Sequence, residues 1–294
     1  MRWASRLSQL DGSRLSILIF HRVLARTDPM FPDLPDAEQF RVLMRRVASF
    51  FKVLPLDNAV ELLQRGSLPR GALAITFDDG YADNQTIAAP ILAELKLTAT
   101  FFVATGFLNG GRMWNDTVVE ALRRTHLQEI GLPELGVDSL PLRTILQRRQ
   151  AIDRVLKEIK HLPMGQRLRR VEDVAVACGK ILPNDLMMST TQLQALHASG
   201  MAIGGHTVNH PILSSSSDED AKQEIVLNKQ QLESVLQSEV KLFAYPNGKP
   251  DVDFAHRHSC MVREAGYVAA VTTAPGAARH GADAMQLPRF TPWD

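Results

Sequence analysis

Cysteine is scarce. Cys178 and Cys260 are the only two, far apart and outside any C-x-x-C pattern, which excludes a disulfide framework and a zinc knuckle. Both are expected as reduced thiols. A charge excess of either sign is also missing: the net charge is +1, so nothing global recruits nucleic acid or an anionic membrane, and binding must be local. No apolar run approaches the length of a membrane span, and residues 1–15 carry basic side chains without an apolar stretch of the secretory kind. The expectation is a cytoplasmic protein meeting a biosynthetic substrate, at most at the inner membrane surface. With 294 residues, 45% of them apolar, the chain suits a globular enzyme with a sizeable core.

Two adjacent carboxylates organise what is present. The run Ala74-Ile75-Thr76-Phe77 is short, apolar and preceded by Pro69 and Gly71, as a buried strand would be, and it ends in Asp78-Asp79-Gly80. Neighbouring side chains on a regular strand point to opposite faces. Both acids therefore share a pocket only where the strand stops and the backbone turns, which Gly80 permits. Two carboxylates crowded in a buried site repel each other; a divalent cation relieves this, leaving one acid as a ligand and the other to handle protons. Alone, the same residues also read as a Phe-Asp-Asp-Gly hairpin turn with both acids solvated. A second apolar, Gly-ended run, residues 201–205, delivers His206 and His210, close enough for one cation to take both imidazoles. Two histidines and an aspartate make a three-ligand site with a coordination position left open.

Around these motifs strands and helices alternate, the pattern of a parallel sheet or barrel whose sites collect at the carboxyl ends of strands. Strands are expected at residues 15–23, closing on His21, and at 51–54, 72–77, 98–105, 241–245 and 266–273. Helices are expected at residues 36–51, with a core stripe of Phe40, Leu43, Met44, Val47 and Phe50, then at 57–65, 189–200 and 218–237. Asp83 and Asp251 are read as helix caps. Residues 107–187 differ in character, rich in Leu, Arg, Glu and Gln with helical periodicity, and are read as a helical insertion in a single domain spanning 1–294. Bases outnumber acids over residues 143–174, which suits either a solvated helical face or an anionic lipid-linked sugar. Near the start of the insertion, Trp114 and Asp116 fit two roles. They could stack on a sugar ring and touch its hydroxyls, or form a helix N-terminus with Asp116 near the cap.

Thr76-Phe77-Asp78-Asp79-Gly80 together with His206-Thr207-Val208-Asn209-His210 resembles the first two motifs of the polysaccharide deacetylase family, also called the NodB-homology or carbohydrate esterase family 4 enzymes. Ala99-Thr100-Phe101-Phe102-Val103 and Phe243-Ala244-Tyr245-Pro246-Asn247-Gly248 add to the likeness, which covers about residues 15–106 and 185–273. It implies a distorted parallel (β/α) barrel of the NodB-homology type. By the same resemblance Asp79, His206 and His210 hold a divalent metal, most simply Zn2+ with Co2+ or Ni2+ as alternatives, and Asp78 is the base. Most relatives carry a late L-x-L-H histidine as general acid. Residues 285–290 contain no histidine, whereas Leu18-Ile19-Phe20-His21 resembles that motif moved to the front, as in a branch with a permuted barrel, so His21 is expected as the acid. Where relatives place an arginine that braces the catalytic Asp and a tyrosine near the oxyanion, this chain has Ala244 and Asn247. Arg289 is the candidate for the missing brace, and Tyr245 and Asn247 are candidates for the pocket rim.

The expected activity is N-deacetylation of an acetamido sugar in a polysaccharide or its lipid-linked precursor. Alternatives are the same hydrolysis of another acyl group, such as formyl, or a non-catalytic sugar-binding relative. Neither the sugar nor the oligomeric state is legible.

Overall fold

The computed structural model describes residues 14–292; residues 1–13 and residues 293–294 lie outside it. In chain order the first part comprises β1 (Arg14–Phe20), α1 (Ala37–Phe50), β2 (Lys52–Val53), α2 (Leu56–Gln64), β3 (Ala72–Phe77), α3 (Ala89–Glu94) and β4 (Thr100–Val103). Then come α4 (Trp114–Arg124), β5 (Glu129–Leu132), β6 (Val137–Pro141), α5 (Ile145–Ile159) and α6 (Met164–Ala177). The last part comprises α7 (Thr190–Ala198), β7 (Ala202–Gly205), α8 (Asp218–Leu236), β8 (Leu242–Ala244), α9 (His256–Glu264), β9 (Ala269–Pro275), β10 (Ala278–Arg279) and β11 (Leu287–Arg289).

The main sheet runs β10-β1-β3-β4-β7-β8-β9-β11, with all neighbours parallel except β10. β2 pairs with the start of β3, on the edge whose far end goes to β4. A bridge from Leu18 to Phe290 brings the first strand beside the last, with Ile19 N–H donating to Phe290 O at 3.0 Å and Phe290 N–H to Ile17 O at 2.8 Å. The result is a nearly closed, distorted (β/α) barrel of the NodB type.

Both faces of the strands are buried, as expected of parallel strands written as unbroken apolar runs. Alternate residues divide between two cores. Leu18, Phe20, Leu73, Ile75, Phe77, Phe101 and Phe243 pack with Phe40, Met44, Leu92, Leu193, Ile225 and Val262 of the surrounding helices. Leu15, Ile17, Ala72, Ala74, Phe102, Ala244, Val271 and Leu287 form the inner core, to which α2 adds Leu56, Val60 and Leu63. Asp36 caps α1 in a capping box with Gln39, Ser189 caps α7 with Gln192, and Ser217 caps α8.

Four local expectations need correction. Phe50, assigned to the core stripe of α1, is 65% exposed at the end of that helix. Asp83 holds the N-cap position of the helical turn Asn84–Ala88 but makes no capping bond there; its carboxylate accepts instead from Arg22 Nε at 2.8 Å and Val23 N–H at 3.3 Å. Asp251 is not the cap of α9; Ala255 holds that position, and its N–H donates to His258 Nδ1 at 2.9 Å. Residues 107–187 are not all helix, since β5 and β6 form an antiparallel hairpin turned at Gly136, whose φ is +64°. With α4, α5 and α6 this hairpin builds its own core around Val118, Leu122, Leu140, Ile152, Val155 and Val174. Cys178 lies buried there and, like Cys260, is free. Among the described residues no helix is long and apolar enough to cross a membrane.

The strand that delivers the histidines depends on small residues. A Cβ on Gly205 would overlap the Tyr267 hydroxyl and stand 2.6 Å from Asn228 Oδ1. Gly205→Ala is therefore expected to lower unfolding free energy by about 1–3 kcal/mol, the usual cost of overpacking. Urea titration followed by circular dichroism measures it, and an unchanged midpoint would show that the strand shifts freely.

Candidate active site

The backbone explains how two consecutive aspartates reach one cavity. Asp78 N–H still donates to Phe20 O at 2.9 Å, continuing the β1–β3 ladder one residue past β3. Asp79 then turns left-handed, with φ of +79°, and Gly80 follows at +90°. Asp79 thereby escapes the alternation that would turn it away from Asp78. Gly80 is required twice over, since a Cβ there would also stand 2.9 Å from Val103 Cγ1.

His206 follows directly on β7. Its N–H donates to Asn228 Oδ1 at 3.0 Å, and its ring Nδ1 lies 2.7 Å from Ala244 O. A carbonyl only accepts, so Nδ1 carries the proton and the lone pair sits on Nε2. Asn228 Nδ2 donates to Thr207 O at 2.6 Å and to Val103 O at 3.0 Å, tying β4 to β7 from α8. One turn earlier on that helix, Glu224 accepts from Val208 N–H at 2.8 Å, Asn209 N–H at 2.7 Å and Asn209 Nδ2 at 2.7 Å. The loop so held has positive φ at Thr207 (+63°) and His210 (+52°), which brings the second imidazole back beside the first.

His206 Nε2 stands 3.3 Å and His210 Nε2 3.5 Å from the same oxygen, Asp79 Oδ1, and one ligand atom from each of the three residues lies within 4.8 Å of the others. Burial pushes the His210 imidazole down to about 4, with His206 adding to the effect, so at neutral pH it offers a lone pair. Burial alone would raise the Asp79 carboxyl, but the surrounding histidines, His206 first among them, hold it below the ordinary carboxylate range. A carboxylate oxygen and two imidazole nitrogens converging on one point, one of them tautomerically fixed by a backbone carbonyl, fit a divalent cation.

Asp78 has a different partner. Arg289 Nη1 donates to its Oδ1 at 2.7 Å and Nη2 to its Oδ2 at 2.6 Å, a bidentate pair with both side chains almost wholly buried. The guanidinium is itself fixed, with Nε on Thr272 O at 2.8 Å and Nη1 on Thr76 Oγ1 at 3.1 Å. Burial would raise the Asp78 carboxyl, yet the charge and hydrogen bonds of Arg289 hold it below its usual value.

These groups open into a cavity of about 490 Å3. His21, exposed at its edge, lines it beside Asp78, Asp79, His206 and His210, and the His21 carbonyl accepts from Asn84 Nδ2 at 2.8 Å. Asn247 lines the wall with φ of +58°. Trp114 lines it too, with the Arg167 guanidinium 5.3 Å from its ring centre. Tyr245 borders the cavity, but its ring belongs to the core. It stacks on Phe254 at 3.7 Å and donates its hydroxyl to Met285 O at 3.0 Å, so no side-chain donor is left for a substrate. Asp116 is the correction to the substrate-contact reading. It is buried in the first turn of α4, accepts from the Tyr81 hydroxyl at 3.0 Å, and is pushed by burial up to about 7.

A family model described as polysaccharide deacetylase matches residues 65–132 and 143–269. The chain belongs to the polysaccharide deacetylase family. No curated protein matches the sequence. Among solved structures, the Streptococcus pyogenes deacetylase PplD is 18% identical, with a TM-score of 0.63 over 96% of this chain and 93% of its own. IcaB from Ammonifex degensii is 20% identical, with a TM-score of 0.63 over 96% and 95%. The BpsB deacetylase domain from Bordetella bronchiseptica is 17% identical, with a TM-score of 0.58 over 96% of each. These likenesses carry the fold. His21 and Arg289 both lie outside the stretches matched by the polysaccharide deacetylase model, one before it and one after it. Barrel closure nonetheless places β1 and β11 side by side next to the motif strand β3.

Removing one member of a buried ion pair costs about 3–5 kcal/mol. Arg289→Met is expected to lose about that much at pH 7.5, measured by urea unfolding of metal-free protein. The Asp78 carboxyl is depressed in the fold, so its contribution is present above the unfolded pKa of about 4 and is lost as pH falls through the folded value. Without Arg289, burial raises that carboxyl, so the gap between wild type and variant opens as pH climbs above about 4. Equal gaps at pH 4 and pH 7.5 would contradict the pairing.

Proposed function

We propose that this polysaccharide deacetylase is a metal-dependent hydrolase that removes N-acetyl groups from an acetamido sugar in a polysaccharide or a lipid-linked precursor. One observation carries the reading: three donors converge within 4.8 Å, while the carboxylate next in sequence faces the same cavity and is bound to Arg289 instead. A purely sugar-binding site needs no such second carboxylate.

Asp79, His206 and His210 would hold the cation. Bound there, Zn2+, or Co2+ or Ni2+ in its place, supplies Lewis acidity that polarises an amide carbonyl and acidifies water. Asp78 accepts the proton of the attacking water. Its pairing with Arg289 makes it a weak base but keeps it ionised, fixed and aimed, which suffices when the water is already acidified. His21, at the open edge of the cavity, delivers a proton to the departing amine, without which the tetrahedral intermediate collapses back to the amide. For the developing oxyanion, Tyr245 N–H is committed to Val271 O at 3.3 Å and Pro246 has no N–H. Asn247 N–H, which has no hydrogen-bond partner among the described residues, is the backbone donor left on this turn.

The test is acetate release from N-acetylglucosamine oligomers by metal-stripped protein reloaded with zinc, cobalt or nickel, beside a panel of formylated sugars. Stripped protein should be inactive and reloaded protein active. Asp78→Asn should keep metal, measured by elemental analysis, while losing about two to four powers of ten in kcat. His206→Ala should lose both metal and activity. His21→Ala should stay folded and metal-loaded with a severe kcat defect. Full activity in Asp78→Asn would remove it as the base, and wild-type kinetics in His21→Ala would return that histidine to packing.

A further inference from the structure

One wall of the cavity belongs to the insertion. The end of α5 contributes Lys157 and Lys160, and the start of α4 contributes Trp114 and Asn115. Three residues apart, the two lysines lie on one side of the helix end, Lys157 exposed and Lys160 half-buried. The lysines in ion pairs among the described residues are Lys180, Lys229 and Lys241, so neither cavity lysine has a carboxylate partner. Behind them Arg167, 5% exposed, packs on Trp114 and donates from Nη1 to Lys160 O at 3.4 Å, again with no carboxylate partner.

The acids of the cavity do not neutralise this wall. Asp78 is bound to Arg289, and Asp79 stands with the two imidazoles. The wall therefore presents uncompensated positive charge beside an aromatic face, in a pocket of small-molecule size. A neutral saccharide offers these ammonium groups hydroxyl acceptors in place of water but no counter-charge, so it gains less from them than an anion would. A saccharide with an oxyanion would pair with them while its ring packs on Trp114. Resting on the deacetylase reading above, we propose that the substrate carries an anionic group, a phosphate or a carboxylate, on or next to the acetamido sugar that is hydrolysed, and that Lys157 and Lys160 select for it.

Three oligosaccharides of equal length test this with the zinc-loaded full chain. One is a neutral N-acetylglucosamine oligomer, the second bears a 1-phosphate, and the third alternates N-acetylglucosamine with glucuronate. Initial rates of acetate release give kcat/KM at 50 and 300 mM salt, and calorimetry gives affinity without requiring turnover. At least one anionic substrate is expected to exceed the neutral one about tenfold at low salt, mostly through KM, with the advantage shrinking at high salt. The phosphate and glucuronate arms say which oxyanion it is. In Lys157→Gln/Lys160→Gln, two positions outside the hydrophobic cores, that ratio should fall at least fivefold. Equal affinity for neutral and anionic oligomers overturns the inference, and so does a preference that survives in the double variant. Charge-selective binding with no acetate release from any substrate overturns the deacetylase reading and upholds the anion site.

Discussion

A guanidinium sealed inside a barrel must be neutralised there, and Asp78 is the group that does it. The pair joins residues 211 apart in sequence and spans the barrel interior from the last strand to the end of β3. Neither partner has a tolerable alternative. Arg289 cannot shed its proton, and Asp78 without Arg289 would be a desolvated charge or a neutral acid. The bridge between Leu18 and Phe290 that closes the sheet also places Arg289, one residue earlier, on the inward parity it shares with Leu287. Barrel closure thus brings to Asp78 the cation that keeps it ionised.

The pairing also separates two acids that composition makes equivalent. Asp78 and Asp79 are adjacent, alike and both buried, yet one is held by a fixed cation and the other stands beside two imidazole nitrogens that converge with it on one point. Different roles follow from that difference in surroundings, as they do wherever neighbouring carboxylates are driven apart by environment. The left-handed turn at Asp79 and Gly80 creates the difference, because it lets consecutive side chains serve one cavity from different directions.

Much of this was legible in the sequence because it is local. Apolar runs ended by Gly mark β3 and β7, and the spacing of His206 and His210 is a property of one loop. Arg289 could be suspected only by elimination, since nothing near it in sequence announces an aspartate from the other end of the barrel. Asn228 and Glu224 were not legible at all. On α8 they read as ordinary polar helix positions, and only tertiary packing turns them towards the loops that carry the histidines. For Asp116 the sequence left two roles open, a sugar contact or a helix N-terminus, and the second holds: α4 begins at Trp114 and carries the acid in its first turn under Tyr81. The hairpin within residues 107–187 escaped because four- and five-residue strands beside long amphipathic helices leave little period-2 signal.

The cavity is consequently built by two parts with different sequence logic. The barrel supplies groups at strand ends, with His206 held by α8 and β8 and Asp78 by β11, while the turn after Asp79 also bonds to the insertion, Ala82 N–H donating to Leu186 O at 2.8 Å and the Tyr81 hydroxyl to Asp116 at 3.0 Å. The insertion packs around its own core and meets the barrel rim at the cavity with Trp114, Lys157 and Lys160. A substitution at the wall formed by α4 and α5 therefore leaves intact the bonds that hold Asp78 and His206, whereas a substitution in the barrel interior disturbs them. The bonds that hold Asp78 and His206 thus share no side chain with the insertion's cavity residues Trp114, Lys157 and Lys160.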